Sequence, residues 1–169
     1  MTSHVHGATK PPLIEHTIGT ALALAAERWG GSDALVSVGQ GISWTFAELL
    51  ERSDAFAAGL LALGLNPGDR IGIWAPNCVE WTLTQFAAAR AGLILVTINP
   101  AYRLSEVEYT INKVGLSALV AASSFKTSDY PAMIEELASE VAASTPGALR
   151  AVRLPTLRSL ILISERARP

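Results

Sequence analysis

Between Thr45 and Tyr109 the pattern of polar and apolar positions repeats one unit: a capped amphipathic run, a glycine, and a short apolar run. Thr45-Phe-Ala-Glu48, Asn77-Cys-Val-Glu80 and Ser105-Glu-Val-Glu108 each set an N-cap acceptor ahead of a glutamate. That spacing lets acceptor and carboxylate satisfy the first backbone N–H groups of a helix reciprocally, so each word predicts a helix start. The runs close on Gly64, Gly92 and Gly115, where a left-handed residue ends a helix without a side-chain clash. Arg70-Ile-Gly-Ile-Trp-Ala-Pro76, Leu93-Ile-Leu-Val-Thr-Ile-Asn99 and Leu116-Ser-Ala-Leu-Val-Ala-Ala122 follow. Their lack of polar alternation predicts strands covered on both faces, hence a parallel sheet.

On either side of this repeat the pattern predicts further elements. Thr17 caps a helix through Trp29, with Ile18, Ala21, Leu22, Ala25 and Trp29 on one stripe and Gly30-Gly31 as the stop. Ala34–Val38 and Ile42–Phe46 flank Gly39-Gln-Gly41, which reads as a β-hairpin. The glycines there do not make a dinucleotide fingerprint, because the third is missing and a strand comes next. A helix over Phe46–Leu63 places Phe46, Leu49, Leu50, Phe56, Leu60 and Leu61 on one face, and Asn66-Pro67-Gly68-Asp69 supplies a type II turn. From Gly41 to Ser123 strand and helix alternate, and right-handed crossovers would wrap them into a doubly wound sheet. A helix from about Tyr130 to Ala143, a linker at Ser144–Ala148 and a strand at Leu160–Ile163 complete the reading. The expected fold class is α/β: a doubly wound, mostly parallel sheet with flanking helices, plus an N-terminal helix and hairpin. Residues 1–12 read as a leader and 13–169 as an incomplete α/β subdomain.

Composition narrows the partners. Half of the 169 residues are apolar and 17% are charged, which belongs to a folding domain rather than a disordered chain. A net charge of -2 over mixed signs leaves no basic stripe for nucleic acid and no cationic face for anionic lipid. Cys78 is the only cysteine, so an internal disulfide is excluded and a cytoplasmic location is expected. Arg90 and Gly92 interrupt the most hydrophobic region before it reaches membrane-spanning length.

Few residues carry candidate chemistry. Ser123-Ser-Phe-Lys-Thr-Ser128 follows a strand but has no glycine to close around a phosphate, so it reads as a polar loop capping the next helix. Cys78 falls in the first turn of a helix, where the dipole lowers a thiol pKa, yet it has no histidine nearby in sequence and reads as a packed residue. His4 and His6 lack further ligands, and Glu135-Glu136 belong to an exposed helix face. Trp74, Trp81 and Phe86 are either core or the lining of an acyl pocket. Asn99, Tyr102 and Arg103 follow the carboxyl end of a strand, where open α/β sheets place ligands. Arg103 either meets a phosphate or pairs with Glu106 or Glu108. The expected substrate-binding set is Trp81, Asn99, Tyr102 and Arg103, with no catalytic residue and no metal ligand.

Four words occur in order: Trp44-Thr-Phe-Ala-Glu-Leu-Leu50, Gly64-Leu-Asn-Pro-Gly-Asp-Arg-Ile71, Ala75-Pro-Asn-Cys-Val-Glu-Trp81 and Ala91-Gly-Leu-Ile-Leu-Val-Thr-Ile-Asn-Pro100. Together they resemble the N-terminal portion of the adenylate-forming acyl-CoA synthetases, also called AMP-dependent synthetases and ligases. Asn99-Pro-Ala-Tyr-Arg-Leu-Ser-Glu106 and Phe125-Lys-Thr-Ser-Asp-Tyr130 look most like the medium- to long-chain fatty acyl-CoA branch. The resemblance runs from about Leu13 to Ser164 and implies ATP, Mg²⁺ and coenzyme A as cofactors, with a fatty acid as substrate. It also implies a phosphate loop, a ribose aspartate and a late lysine that these residues do not contain. The expectation is therefore an N-terminal segment of a fatty acid–CoA ligase, inactive as an isolated polypeptide and prone to pair as a homodimer. A stand-alone module that binds an acyl chain, a nucleotide or a partner is the alternative.

Overall fold

The strands and glycine stops of the central repeat form where their pattern puts them, in a computed structural model that describes residues 3, 6–8 and 10–163. Helix α1 (Ile18–Trp29) starts at Thr17, whose hydroxyl accepts the Thr20 N–H at 3.1 Å. Strands β1 (Asp33–Ser37) and β2 (Ile42–Thr45) pair antiparallel across a 3₁₀ turn at Val38–Gln40, closed by Gly41 at φ 66°. This ribbon is a sheet of its own, so β2 is not a strand of the main sheet as the alternation from Gly41 implied. Helix α2 (Phe46–Ala62) begins on the residue after β2 and leaves that strand only β1 to pair with. Its buried stripe is Leu49, Ser53, Ala57 and Leu60, while Leu61 is exposed. Ser53 joins the stripe because its hydroxyl donates back to the Leu49 carbonyl at 2.6 Å.

The sheet follows: β3 (Arg70–Trp74), α3 (Val79–Arg90), β4 (Ile94–Ile98), α4 (Leu104–Val114) and β5 (Leu116–Ala121). Next come a short hairpin of β6 (Ser124–Phe125) and β7 (Ser128–Asp129), helix α5 (Tyr130–Leu137) and β8 (Ser159–Leu162). The strands lie in the order β4-β3-β5-β8, all parallel. The chain moves from β3 out to β4 and then back past β3 to β5, so the winding direction reverses at β3. Right-handed crossovers put α3 and α4 on opposite faces. Accordingly α1, α2 and α3 pack on one another, and α4 packs against α5.

Three glycine stops hold as read, with Gly64, Gly92 and Gly115 at φ 87°, 71° and 66°. The turn before β3 closes through the Asp69 N–H on the Asn66 carbonyl at 2.9 Å, with Gly68 at φ 91°. At the centre of the sheet, a Cβ on Gly72 would stand 2.7 Å from Leu116 Cδ1, so glycine there lets neighbouring side chains close over β3. The predicted helix through Ala143 breaks instead at Ala138, which is buried at φ -149°, and Ser139–Ala143 form a 3₁₀ turn. The break lets the Glu140 carboxylate accept the Val152 N–H at 3.0 Å and ties the linker to the domain.

Candidate functional site

At the carboxyl ends of β3 and β4 the chain turns through Ala75–Cys78 and Asn99–Arg103, and an open groove of about 830 Å³ lies between these loops. It is lined by Trp81, Ile98, Pro100, Tyr102 and Phe125 together with the polar residues Asn77, Thr97, Asn99 and Thr110. Among the described residues no charged side chain lines it. Open α/β sheets bind ligands at this edge, beside the point where strand order reverses.

Trp81, Asn99 and Tyr102 all line this groove. Arg103 is not in the lining. It occupies the N-cap of α4, where its guanidinium donates to Ser128 Oγ at 2.7 Å and its backbone N–H donates to the Glu106 carboxylate at 2.8 Å. The ion pair expected with Glu106 or Glu108 does not form. Glu108 instead takes two hydrogen bonds from Arg153, at 2.6 and 2.9 Å, which hold its carboxyl below the ordinary range. The helix start expected at Ser105 with Glu108 accordingly moves two residues back, to Arg103 with Glu106.

Trp74 belongs to the core. It is fully buried and stacks on Tyr130 with ring centres 3.7 Å apart and an angle of 12° between planes. Burial pushes the Tyr130 hydroxyl up to about 12 from its ordinary 10.0. Phe86 is half-buried and outside the groove lining. The thiol of Cys78 is raised, not lowered: burial outweighs the helix N-terminus, and Glu80 adds a hydrogen bond and negative charge beside it. Ser123–Ser128 forms the β6–β7 hairpin with Lys126 at φ 53°, and Asp129 caps α5 by accepting the Ala132 N–H at 3.0 Å. The cap lies one residue beyond the Ser123–Ser128 segment to which the capping role was assigned from sequence, and the hairpin delivers Phe125 to the groove. His6 is exposed and His4 lies outside the described residues. Among the described residues no group of three His, Cys, Asp or Glu is placed to hold a metal.

Both groove loops are fastened from a distance. Asn77 was expected to cap α3. Cys78 takes that place without a side-chain capping bond, and the Val79 N–H goes to Gln40 Oε1 at 2.7 Å. The loop after β4 is held by Tyr130, whose hydroxyl donates to the Pro100 carbonyl at 2.6 Å, and by Asn99 Oδ1, which accepts the Ala101 N–H at 2.9 Å. Sequence reading missed Gln40, Pro100, Thr110 and Phe125 as parts of this site, since none sits in a local pattern that points to a groove. Chemically, the lining offers surface for an uncharged tail with a few hydrogen-bonding groups along it. Among the described residues the lining contains neither a carboxylate for Mg²⁺ nor a cation for a triphosphate.

Comparison with known proteins agrees with this architecture. The family model described as AMP-binding enzyme matches residues 22–163. The chain is 45% identical over 161 residues to the mitochondrial medium-chain acyl-CoA ligase ACSF2 of Danio rerio, covering 95% of this chain and 27% of that protein. It is 44% identical to the Homo sapiens ligase of the same name, covering 95% of this chain and 26% of that protein. It therefore spans about a quarter of the length of these curated relatives. The N-terminal domain of FACL13 from Mycobacterium tuberculosis superposes with a TM-score of 0.73 at 24% identity, over 90% of this chain and 35% of that one, and shares the fold. The expectation of a cytoplasmic location is overturned, because these relatives are named as mitochondrial. A lone cysteine excludes an internal disulfide in this segment and does not identify a compartment. With the family model covering most of its length, the chain belongs to the AMP-binding enzyme family.

Proposed function

We propose that these residues form the N-terminal sheet layer of an ATP-dependent fatty acid–CoA ligase, and that the groove between the β3 and β4 loops receives the acyl tail. The observation that carries the assignment is the uncharged lining, with Trp81, Tyr102 and Phe125 as walls. An alkyl chain gains about 0.8 kcal/mol per buried methylene on such a surface, whereas a phosphate would lose hydration there without a countercharge. The relatives' names point to chains of medium length.

In the ligase reaction the fatty acid carboxylate attacks the α-phosphorus of ATP and releases diphosphate. The thiol of coenzyme A then attacks the acyl carbon of the adenylate and releases AMP. This chain contributes tail binding. ATP, Mg²⁺ and coenzyme A need charged groups that the groove lacks, so they are held by other parts of the enzyme. Arg103, whose guanidinium has no carboxylate partner among the described residues, is a candidate phosphate contact at the groove's margin. Because positioning and charge stabilisation cannot come from absent groups, the 169-residue polypeptide by itself does not turn over.

Two assays test the reading. The isolated polypeptide is expected to show no fatty-acid-dependent exchange of diphosphate into ATP; measurable exchange contradicts this. In a longer ligase containing the chain, Trp81→Ala should raise KM for a medium-chain acid about tenfold with little change in kcat, as for lost uniform binding. An unchanged KM removes the tail assignment.

A further inference from the structure

We propose that Gln40 is a positioning residue for the groove: acting from the separate β1–β2 ribbon, its side-chain amide fixes the start of α3, the Ala75–Cys78 loop and Trp81. The consequence for substrate rests on the acyl-tail reading; the positioning itself does not.

The need for such a residue follows from α3. The first N–H groups of a helix have no partner within it, and Cys78 at the N-cap makes no side-chain capping bond to them. Val79 is 1% exposed, so water does not readily supply the missing acceptor. Gln40 Oε1 supplies it at 2.7 Å, and the Ser37 hydroxyl donates to the same oxygen at 3.0 Å. Gln40 Nε2 donates in turn to Glu80 Oε2 at 3.0 Å. The oxygen therefore faces two donors and the nitrogen faces a carboxylate, which leaves the amide one orientation. A carboxylate at position 40 would keep the first bond and oppose Glu80; a methyl group would leave the Val79 N–H without its acceptor.

What Gln40 holds is a wall of the groove. Ala75, Pro76 and Asn77 lie just before α3 and Trp81 lies in its first turn, with the Trp81 N–H on the Cys78 carbonyl at 3.2 Å. The anchor is stiff, since Gly41 closes the ribbon by donating to the Val38 carbonyl at 3.1 Å and β1 pairs with β2 along its length. Releasing Gln40 moves both flanks of Val79 together.

Nitrogen-15 NMR of the chain separates positioning from general stabilisation. In Gln40→Ala, exchange protection of the Val79 amide should fall about fivefold or more, as for a lost cap, and the Trp81 indole resonance should shift while those of Trp29 and Trp74 stay. Gln40→Glu alone should also displace Trp81. Combined with Glu80→Gln it should restore the wild-type Trp81 and Val79 signals, because the donor and acceptor are then exchanged between the two positions. A Gln40→Ala variant that melts earlier but leaves both signals unchanged overturns the proposal, as does a double variant that fails to restore them while remaining folded. In a longer ligase, Gln40→Ala should raise the acyl KM several-fold with kcat within about twofold. If Trp81 shifts and the acyl KM does not, positioning stands and the tail assignment falls.

Discussion

Helix α2 is sealed at its start by residues three positions apart, whereas α3, one strand later, takes its acceptor from Gln40, 39 residues back in the chain. At α2 the Thr45 hydroxyl accepts the Glu48 N–H at 3.2 Å and the Glu48 carboxylate accepts the Thr45 N–H at 2.8 Å, so the cap is complete before tertiary structure forms. At α3 the cap exists only once the ribbon has docked. The loop after β4 repeats the second case, because Tyr130 reaches back 30 residues to Pro100. The groove's two loops thus each carry one tie to a distant residue, Gln40 for the first and Tyr130 for the second, while the start of α4 beside them is closed locally by Glu106. A groove wall held by tertiary contacts can be adjusted through residues that never touch its ligand.

The largest expected effect concerns the Tyr130 tie. The raised folded pKa means that between the ordinary 10.0 and about 12 the unfolded chain has released a proton that the folded chain still holds, so stability falls as pH rises through that window. The loss should reach about 1–3 kcal/mol by pH 12, read as the difference in alkaline unfolding between wild type and Tyr130→Phe. A Tyr130→Phe variant with the same alkaline slope would break the assignment. Next in size, Thr45→Ala should cost about 1 kcal/mol in denaturant unfolding and leave Trp81 and Val79 signals unmoved, in contrast to Gln40→Ala. If both substitutions displace Trp81, the two helix starts are not distinct in kind. The smallest effect is at acid pH. Glu48, Glu108 and Glu140 are each held below the ordinary 4.5 in the folded chain by hydrogen bonds to Thr45, Arg153 and Val152 respectively. Their contributions are present above 4.5 and lost as pH falls through the lowered values, so Glu108→Gln should flatten the acid limb of a stability profile slightly.

The same contrast explains what the sequence made legible. Thr17, Thr45, the glycine stops and the apolar strands act within a few residues, and each appears in the structure where its local chemistry requires. The ribbon's isolation, the break at Ala138 and the cap supplied by Gln40 depend on contacts between segments, and no local pattern encodes them; the Arg103–Glu106 cap is local but lies two residues before the one read from Ser105 and Glu108. Of the groove residues, Asn99 and Tyr102 stand out in sequence because they follow the carboxyl end of a strand, and Trp81 because it is an aromatic near a helix start. Phe125 was hidden in a hairpin that reads as a polar loop, and Arg103 was placed in the set although its side chain turns to Ser128.

The acyl-tail groove is tested most directly by the chain-length profile of a longer ligase carrying Trp81→Ala, with Val38→Ala on the exposed ribbon turn as control. Opening the wall should lower kcat/KM for medium chains and move the optimum toward acids about two or more methylenes longer, because each added methylene recovers about 0.8 kcal/mol of contact. A Trp81→Ala profile that overlays those of wild type and Val38→Ala would contradict the assignment of this groove to the acyl chain.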